Sequence, residues 1–194
     1  MTQERMDETL EMYVQNIKMM MESMGHLPPS ITVFGKHKQE LIENTTEPKD
    51  AVIHVMIPSE FMESGETKQT FVDEVIPKIA KKMNEIISVE SVGWASEVWV
   101  RTADPKDNVT EDNWDHLPIQ QEAVFITIDT GDKTSSFCYD IHRKGKKITE
   151  EGEMVDDVEL TINEKLSNKG TDTNDVKGRF GGLFQKFAQL GEES

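Results

Sequence analysis

His54, Glu97, Arg101, Asp140 and His142 fall in β-branched, aromatic-rich stretches of the chain, and His116 lies in an acidic stretch among them. Polar groups on adjacent strands can converge on one face of a sheet. Were His54, His142 and Glu97 to meet, two imidazoles and a carboxylate would form a divalent-metal site with positions open to water or substrate. Glu97, Asp140, His142 and His116 around such a metal would suit a small hydrolase or nuclease. No His-x-His or His-Glu-x-x-His pair places two ligands on one face in advance. The plainer reading is a Glu97–Arg101 neighbour pair and surface histidines, with no catalytic residue, metal or cofactor assigned.

Other chemistry is excluded more cleanly. Cys138 is the single cysteine, so neither an internal disulfide nor a multi-cysteine metal site can form, and a reducing compartment fits best. A Cys138–His142 nucleophile and base pair fails on distance, because strand residues four apart are about 13 Å apart. No Gly-rich phosphate loop ends in Lys-Ser or Lys-Thr, and no Gly-x-Ser-x-Gly elbow occurs. Residues 172–178 mimic a calcium loop only superficially, because apolar Val176 holds the fifth position and the closing Glu is missing.

Charge narrows the partner classes. The 194 residues carry 37 Asp and Glu against 21 Lys and Arg, a net charge of −16. Such a body repels phosphate backbones, so direct nucleic-acid binding is not expected. It stays soluble and attracts basic partners, and a surface imitating nucleic acid to inhibit a basic host protein is one reading of the excess. The N-terminus is acidic where a secretory signal needs a basic and then an apolar segment, and no apolar run reaches about 18 residues. The expected setting is cytoplasmic, with membrane association disfavoured.

The elements that must position these residues are read from periodicity. In residues 1–27, Met6, Leu10, Tyr13, Ile17, Met20 and Met24 alternate at spacings of four and three, the seam of a heptad helix that could pack at home or self-associate. Residues 30–166 read as the core domain. Strands are expected near 30–35, 51–57, 89–102, 122–129 and 135–142, with a weaker one over 146–149 after a Lys144-Gly145 turn. One long amphipathic helix spans 66–87, with Pro77 imposing a kink or a break. Residues 103–118 form an excursion loop, and 155–166 is a short helix or strand. The fold class is α+β, a mainly antiparallel sheet packed on that helix.

Residues 167–177 read as a polar linker and 178–194 as an amphipathic tail. Phe180, Leu183, Phe184, Phe187 and Leu190 form its apolar stripe. Gly178, Gly181 and Gly182 each weaken a free helix by about 1 kcal/mol relative to Ala, so the tail is expected to order only on contact. It docks on its own domain, on a second copy or on a foreign protein.

Ile31-Thr32-Val33-Phe34-Gly35, Lys68, the run Ser96-Glu97-Val98-Trp99-Val100-Arg101 and Glu122-Ala123-Val124-Phe125-Ile126-Thr127 give residues 31–149 a loose resemblance to an uncharacterised group of small α+β proteins of bacteria and tailed phages. The resemblance implies a phage or bacterial cytoplasmic setting and no known activity. Together these observations point to a non-enzymatic interaction or assembly protein, associating through the N-terminal helix or the Phe-rich tail. The alternatives are the metal-dependent hydrolase and the nucleic-acid mimic.

Overall fold

Val, Ile, Thr and aromatic residues suit a pleated, half-buried surface, and the stretches rich in them form one antiparallel sheet of seven strands. The computed structural model describes residues 3–38, 49–101, 117–172 and 183–192. Its strands are β1 (Ser30–His37), β2 (Asp50–Met56), β3 (Ile87–Arg101), β4 (Ile119–Asp129), β5 (Lys133–Ile148), β6 (Met154–Ile162) and β7 (Asn168–Asp172). The order is β2-β1-β3-β4-β5-β6, and β7 also pairs with β5. Residues 134–136 of β5 already bond β4 on one side, so β7 continues the edge that β6 occupies.

Side chains alternate across a sheet, and here the alternation builds two cores. One face is covered by helix α1 (Gln3–Met24), whose Leu10, Tyr13, Ile17 and Met21 pack with Phe34, Ala95, Val124, Ile126 and Phe137. The other carries α2 (Gly65–Thr70), a π-helical segment over Phe71–Val75, α3 (Ile76–Ile86) and α4 (Leu183–Glu192). There Phe71, Ile76, Ala80, Leu183 and Phe187 meet Ile31, Val33, Val92 and Trp94.

Three expectations change in the structure, and the break expected at Pro77 takes a particular form. The single long helix over 66–87 is segmented: the Ile76 N–H bonds the carbonyl of Phe71, five residues back, and Pro77 falls in the first turn of the next helix. A prolyl nitrogen has no proton to continue the ladder, and the π turn just before it takes up the mismatch. The buried stripe of α1 does not hold a heptad register either: Met21 is fully buried where the seam required Met20, and Met24 is 36% exposed. A straight α-helix drifts about 20° per heptad, so packing on a sheet without a supercoiled partner helix selects positions at 3.6-residue spacing. No turn occurs at Lys144-Gly145; β5 runs on to Ile148 with a bulge between Arg143 and Gly145. Finally, 168–172 of the expected linker is strand β7. Its polar sequence hid it, because backbone pairing needs no apolar side chain.

The expected 103–118 loop, up to His116, lies outside the described residues.

Candidate functional site

The register settles whether the polar residues on the strands converge. Glu97 lies opposite Val124, and Val124 opposite Tyr139, so Glu97 projects on the α1 face. Asp140 and His142 alternate with Tyr139 and Ile141 and project on the other face. His54 lies opposite Thr32 on the α1 face, where Thr32 Oγ1 is 2.8 Å from its Nδ1. Thr32 in turn lies opposite Gly93, four residues from Glu97 along β3 or about 13 Å. A sheet therefore separates Glu97 from Asp140 and His142, and strand length separates it from His54. His116 lies outside the described residues. Among the described residues no group of three His, Cys, Asp or Glu side chains is placed to hold a metal ion.

Each member has local work instead. Asp140 accepts from Asn163 Nδ2 at 3.1 Å, which helps hold the 163–167 connection between β6 and β7. Glu97 does not pair with Arg101, whose guanidinium donates to the Leu117 carbonyl; it pairs with Arg143, a residue that sequence reasoning passed over. The Arg143 guanidinium donates to Glu122 at 2.8 Å, Asp156 at 3.0 Å, Glu97 at 3.2 Å and the Gly25 carbonyl at 2.9 Å. Its pKa is raised first by the Glu122 hydrogen bond. Gly25, in the left-handed region at φ 73°, closes α1 by donating to Met21, and Glu97 also accepts from the Leu27 N–H at 2.6 Å. The helix terminus is thus fastened to four strands through one fork of donors.

Cys138 is buried, and burial followed by the Asp140 charge pushes its thiol up to about 11. That is the reverse of an activated nucleophile.

The tail residues have a clear destination. Leu183 and Phe187 are buried against the α3 face, and Asn84 Nδ2 donates to the Phe187 carbonyl at 2.6 Å. Phe184 is half-buried and packs beside Gly131, where a Cβ would come within 2.8 Å of its ring. Asp129, only 2% exposed, joins this helix to the β4–β5 turn: one oxygen accepts from Gly131 N at 2.8 Å, the other from Phe184 N at 3.2 Å. An Asp just before Thr130-Gly131 is the signal of a side chain that closes its own turn, and this signal was readable in advance. Phe180 and the side chain of Leu190 lie outside the described residues. On α1, Leu10, Tyr13 and Ile17 are spent in the core, Met20 is partly covered and the Met6 side chain lies outside the described residues.

An open apolar surface remains between α1 and β2. A depression of about 470 Å³ is lined by Ile17, Met19 and Met20 on the helix and by Phe34, Val52 and His54 on the sheet. It shares Phe34 and Val52 with a second depression of about 220 Å³ nearer Glu8, Met12, Asp50 and Glu90, so the two form one groove. Met19, Val52 and Met56 are more than half exposed beside it. Partial burial lowers the pKa of His54, which favours a neutral ring. Below it the Tyr13 hydroxyl is buried, with no hydrogen bond of good geometry among the described residues; burial raises its pKa, and the nearby Thr32 side chain offsets part of that rise.

No family model, curated protein or solved structure matches this chain. The site is therefore read from its own geometry. No helix among the described residues is long and apolar enough to cross a membrane.

Proposed function

We propose that this chain is a non-enzymatic protein-interaction or assembly protein that works through the groove between α1 and β2. The observation that carries the reading is an apolar depression beside the edge strand β2, which among the described residues pairs only with β1. Exposed edge strands are ordinarily blunted by Lys, Pro or bulges. β2 reads Asp-Ala-Val-Ile-His-Val-Met, with Val52 and Met56 more than half exposed. Concave, mostly apolar surfaces with a few polar groups are the usual form of binding sites.

Two supports come from the residues that might have argued for catalysis. Glu97 neutralises Arg143 and is separated by the sheet from Asp140 and His142, so the expected metal-ligand set does not assemble among the described residues. The Phe-rich tail, the other candidate docking element, already has Leu183 and Phe187 under the cover of its own chain.

The test compares the intact chain with Met19→Glu, which places a charge in the groove, for proteins that co-purify in stoichiometric amount. A partner recovered with the intact chain and lost with Met19→Glu supports the reading. Hydrolysis of phosphodiester or peptide bonds that needs a divalent metal and disappears in His142→Ala would replace it with the enzyme reading.

A further inference from the structure

We propose that the depression between α1 and β2 seats one neutral, apolar residue of a partner protein, a leucine or phenylalanine, whose backbone carbonyl accepts a hydrogen bond from Nε2 of His54. This rests on the interaction reading above and names the anchor that the partner inserts.

The donor follows from a line of hydroxyls. His54, Thr32 and Gly93 are neighbours across β2, β1 and β3 on the α1 face. Gly93 brings no side chain, and the Tyr13 ring takes that space: a Cβ would lie 2.5 Å from its Cε1 and 3.1 Å from its hydroxyl oxygen. The phenol thus comes beside Thr32, whose Oγ1 is 2.8 Å from His54 Nδ1. Tyr13 and Thr32 are both buried, away from water that could take up a stray proton. A buried proton without an acceptor costs more than a lone pair without a donor. Tyr13 therefore turns its proton towards Thr32, and Thr32 turns its own towards Nδ1. Partial burial of His54 keeps its ring neutral, so the ring proton stands on Nε2, the nitrogen left for the groove.

The chemistry of the anchor follows from the walls. Among the described residues the depression is lined by Ile17, Met19, Met20, Phe34 and Val52 around that donor, and by no Asp, Glu, Lys or Arg. An apolar side chain gains by entering, whereas a charged one loses water and finds no counter-charge in the lining. The net charge of −16 adds to the cost for an acid. The acceptor that any residue brings with it is its backbone carbonyl. Met19 and Met56, more than half exposed, stand beside the depression as a flexible rim that moulds to a partner and shields the centre from water. A pocketed anchor ringed by adaptable contacts is the layout of a protein-binding hot spot.

The experiment titrates the full chain with N-acetyl-leucine N-methylamide and with its phenylalanine and glutamate counterparts, followed by NMR. His54→Leu and Tyr13→Phe are titrated alongside, with circular dichroism confirming that both stay folded. In the intact chain at neutral pH the nitrogen shifts of His54 should show the ring proton on Nε2. The leucine and phenylalanine probes should give saturable shifts at His54, Met19 and Met20 with a Kd of about 1 mM, the scale for ligands this small. The glutamate probe should bind about ten-fold more weakly or worse. His54→Leu should lose about five-fold, the worth of one hydrogen bond. In Tyr13→Phe, which no longer orients Thr32, the ring proton should spread to Nδ1. A proton on Nδ1 in the intact chain, equal binding of the glutamate probe, unchanged affinity in His54→Leu, or no saturable shift would each overturn the proposal. So would a concentration-dependent dimer that shifts the same groups, because the site would then belong to a second copy. A co-purifying partner lost with Met19→Glu but retained with His54→Leu would keep the interaction reading and remove this anchor from it.

Discussion

Arg143 is the side chain with most consequence per atom, because its five donors reach Glu97, Glu122, Asp156 and the carbonyl that ends α1. Removing it leaves three carboxylates facing one another, with Lys146 on Asp156 the cation that stays. About a third of the side chain is exposed, so water screens part of the gain. Arg143→Met should cost about 2 kcal/mol, and Glu97→Gln, which keeps an acceptor for Leu27 N–H, about 1 kcal/mol. Urea unfolding of both variants checks the order. The pH dependence has a definite sign. The pKa of Asp156 is lowered, first by its hydrogen bond from Lys146 and further by Arg143, so the benefit is present above the ordinary carboxylate range near 4 and is lost as pH falls through the lower folded value. The gap between wild type and Arg143→Met should be constant from about pH 5 to 8 and close below about pH 4. Cys138 gives a second expectation at this scale. With its thiol pushed up to about 11, it should react with an aromatic disulfide reagent at pH 8 about a hundred-fold more slowly in the folded chain than in denaturant. Equal rates would show an accessible thiolate. Little of this was legible in sequence. Arg143 stands in a basic run that resembles a turn, and its three partners come from strands whose register no local pattern specifies.

The helices show which part of an amphipathic pattern survives folding. The stripe of α4 was readable from its i, i+3, i+4 spacing, but its destination was not, because nothing local says that Asn84 and the β4–β5 turn supply the other half of the site. Phe187 is fully buried against Ile76 and Ala80. Phe187→Ala should therefore cost about 3–5 kcal/mol, transfer and cavity together, and lower the Tm by about 10 °C for a chain of this size. Calorimetry with an exposed helical control, Met19→Ala on α1, separates this from a general effect of truncating a helix side chain. An unchanged Tm would mean that the tail contributes nothing to the α3 face. The α1 pattern was legible as a helix and misleading as a heptad: with so many methionines in its first 24 residues, both Met20 and Met21 could satisfy an apolar register, and only the sheet distinguishes them. β7 was invisible for the opposite reason. Asn-Lys-Gly-Thr-Asp has no apolar period, and its pairing with β5 is a property of the backbone.

At the scale of the molecule the two cores share their strands, since β1 gives Ile31 and Val33 to one face and Phe34 to the other, and β3 gives Trp94 to one and Ala95 to the other. Loss of either helical layer therefore exposes a sheet that the other layer needs, which favours a single cooperative transition. Over this frame lies a net charge of −16. Its mutual repulsion opposes the compact state, while the Arg143, Lys144 and Lys146 pairs favour it. Salt acts on both, and the magnitudes decide the sign. Ion pairs open to water contribute little and lose only a fraction of that to screening. The excess acid acts over the whole surface at separations beyond the Debye length of about 8 Å at 0.15 M ionic strength, where screening is nearly complete. The Tm should therefore rise as sodium chloride goes from about 0.01 to 0.5 M, and potassium chloride should give the same rise, because screening does not depend on which monovalent cation supplies it. Arg143→Met, one charge more negative, should gain more from salt than the wild type does. A Tm that falls with salt would mean that the ion pairs at the end of α1 outweigh the repulsion, and would place the balance of stability in that fork of hydrogen bonds.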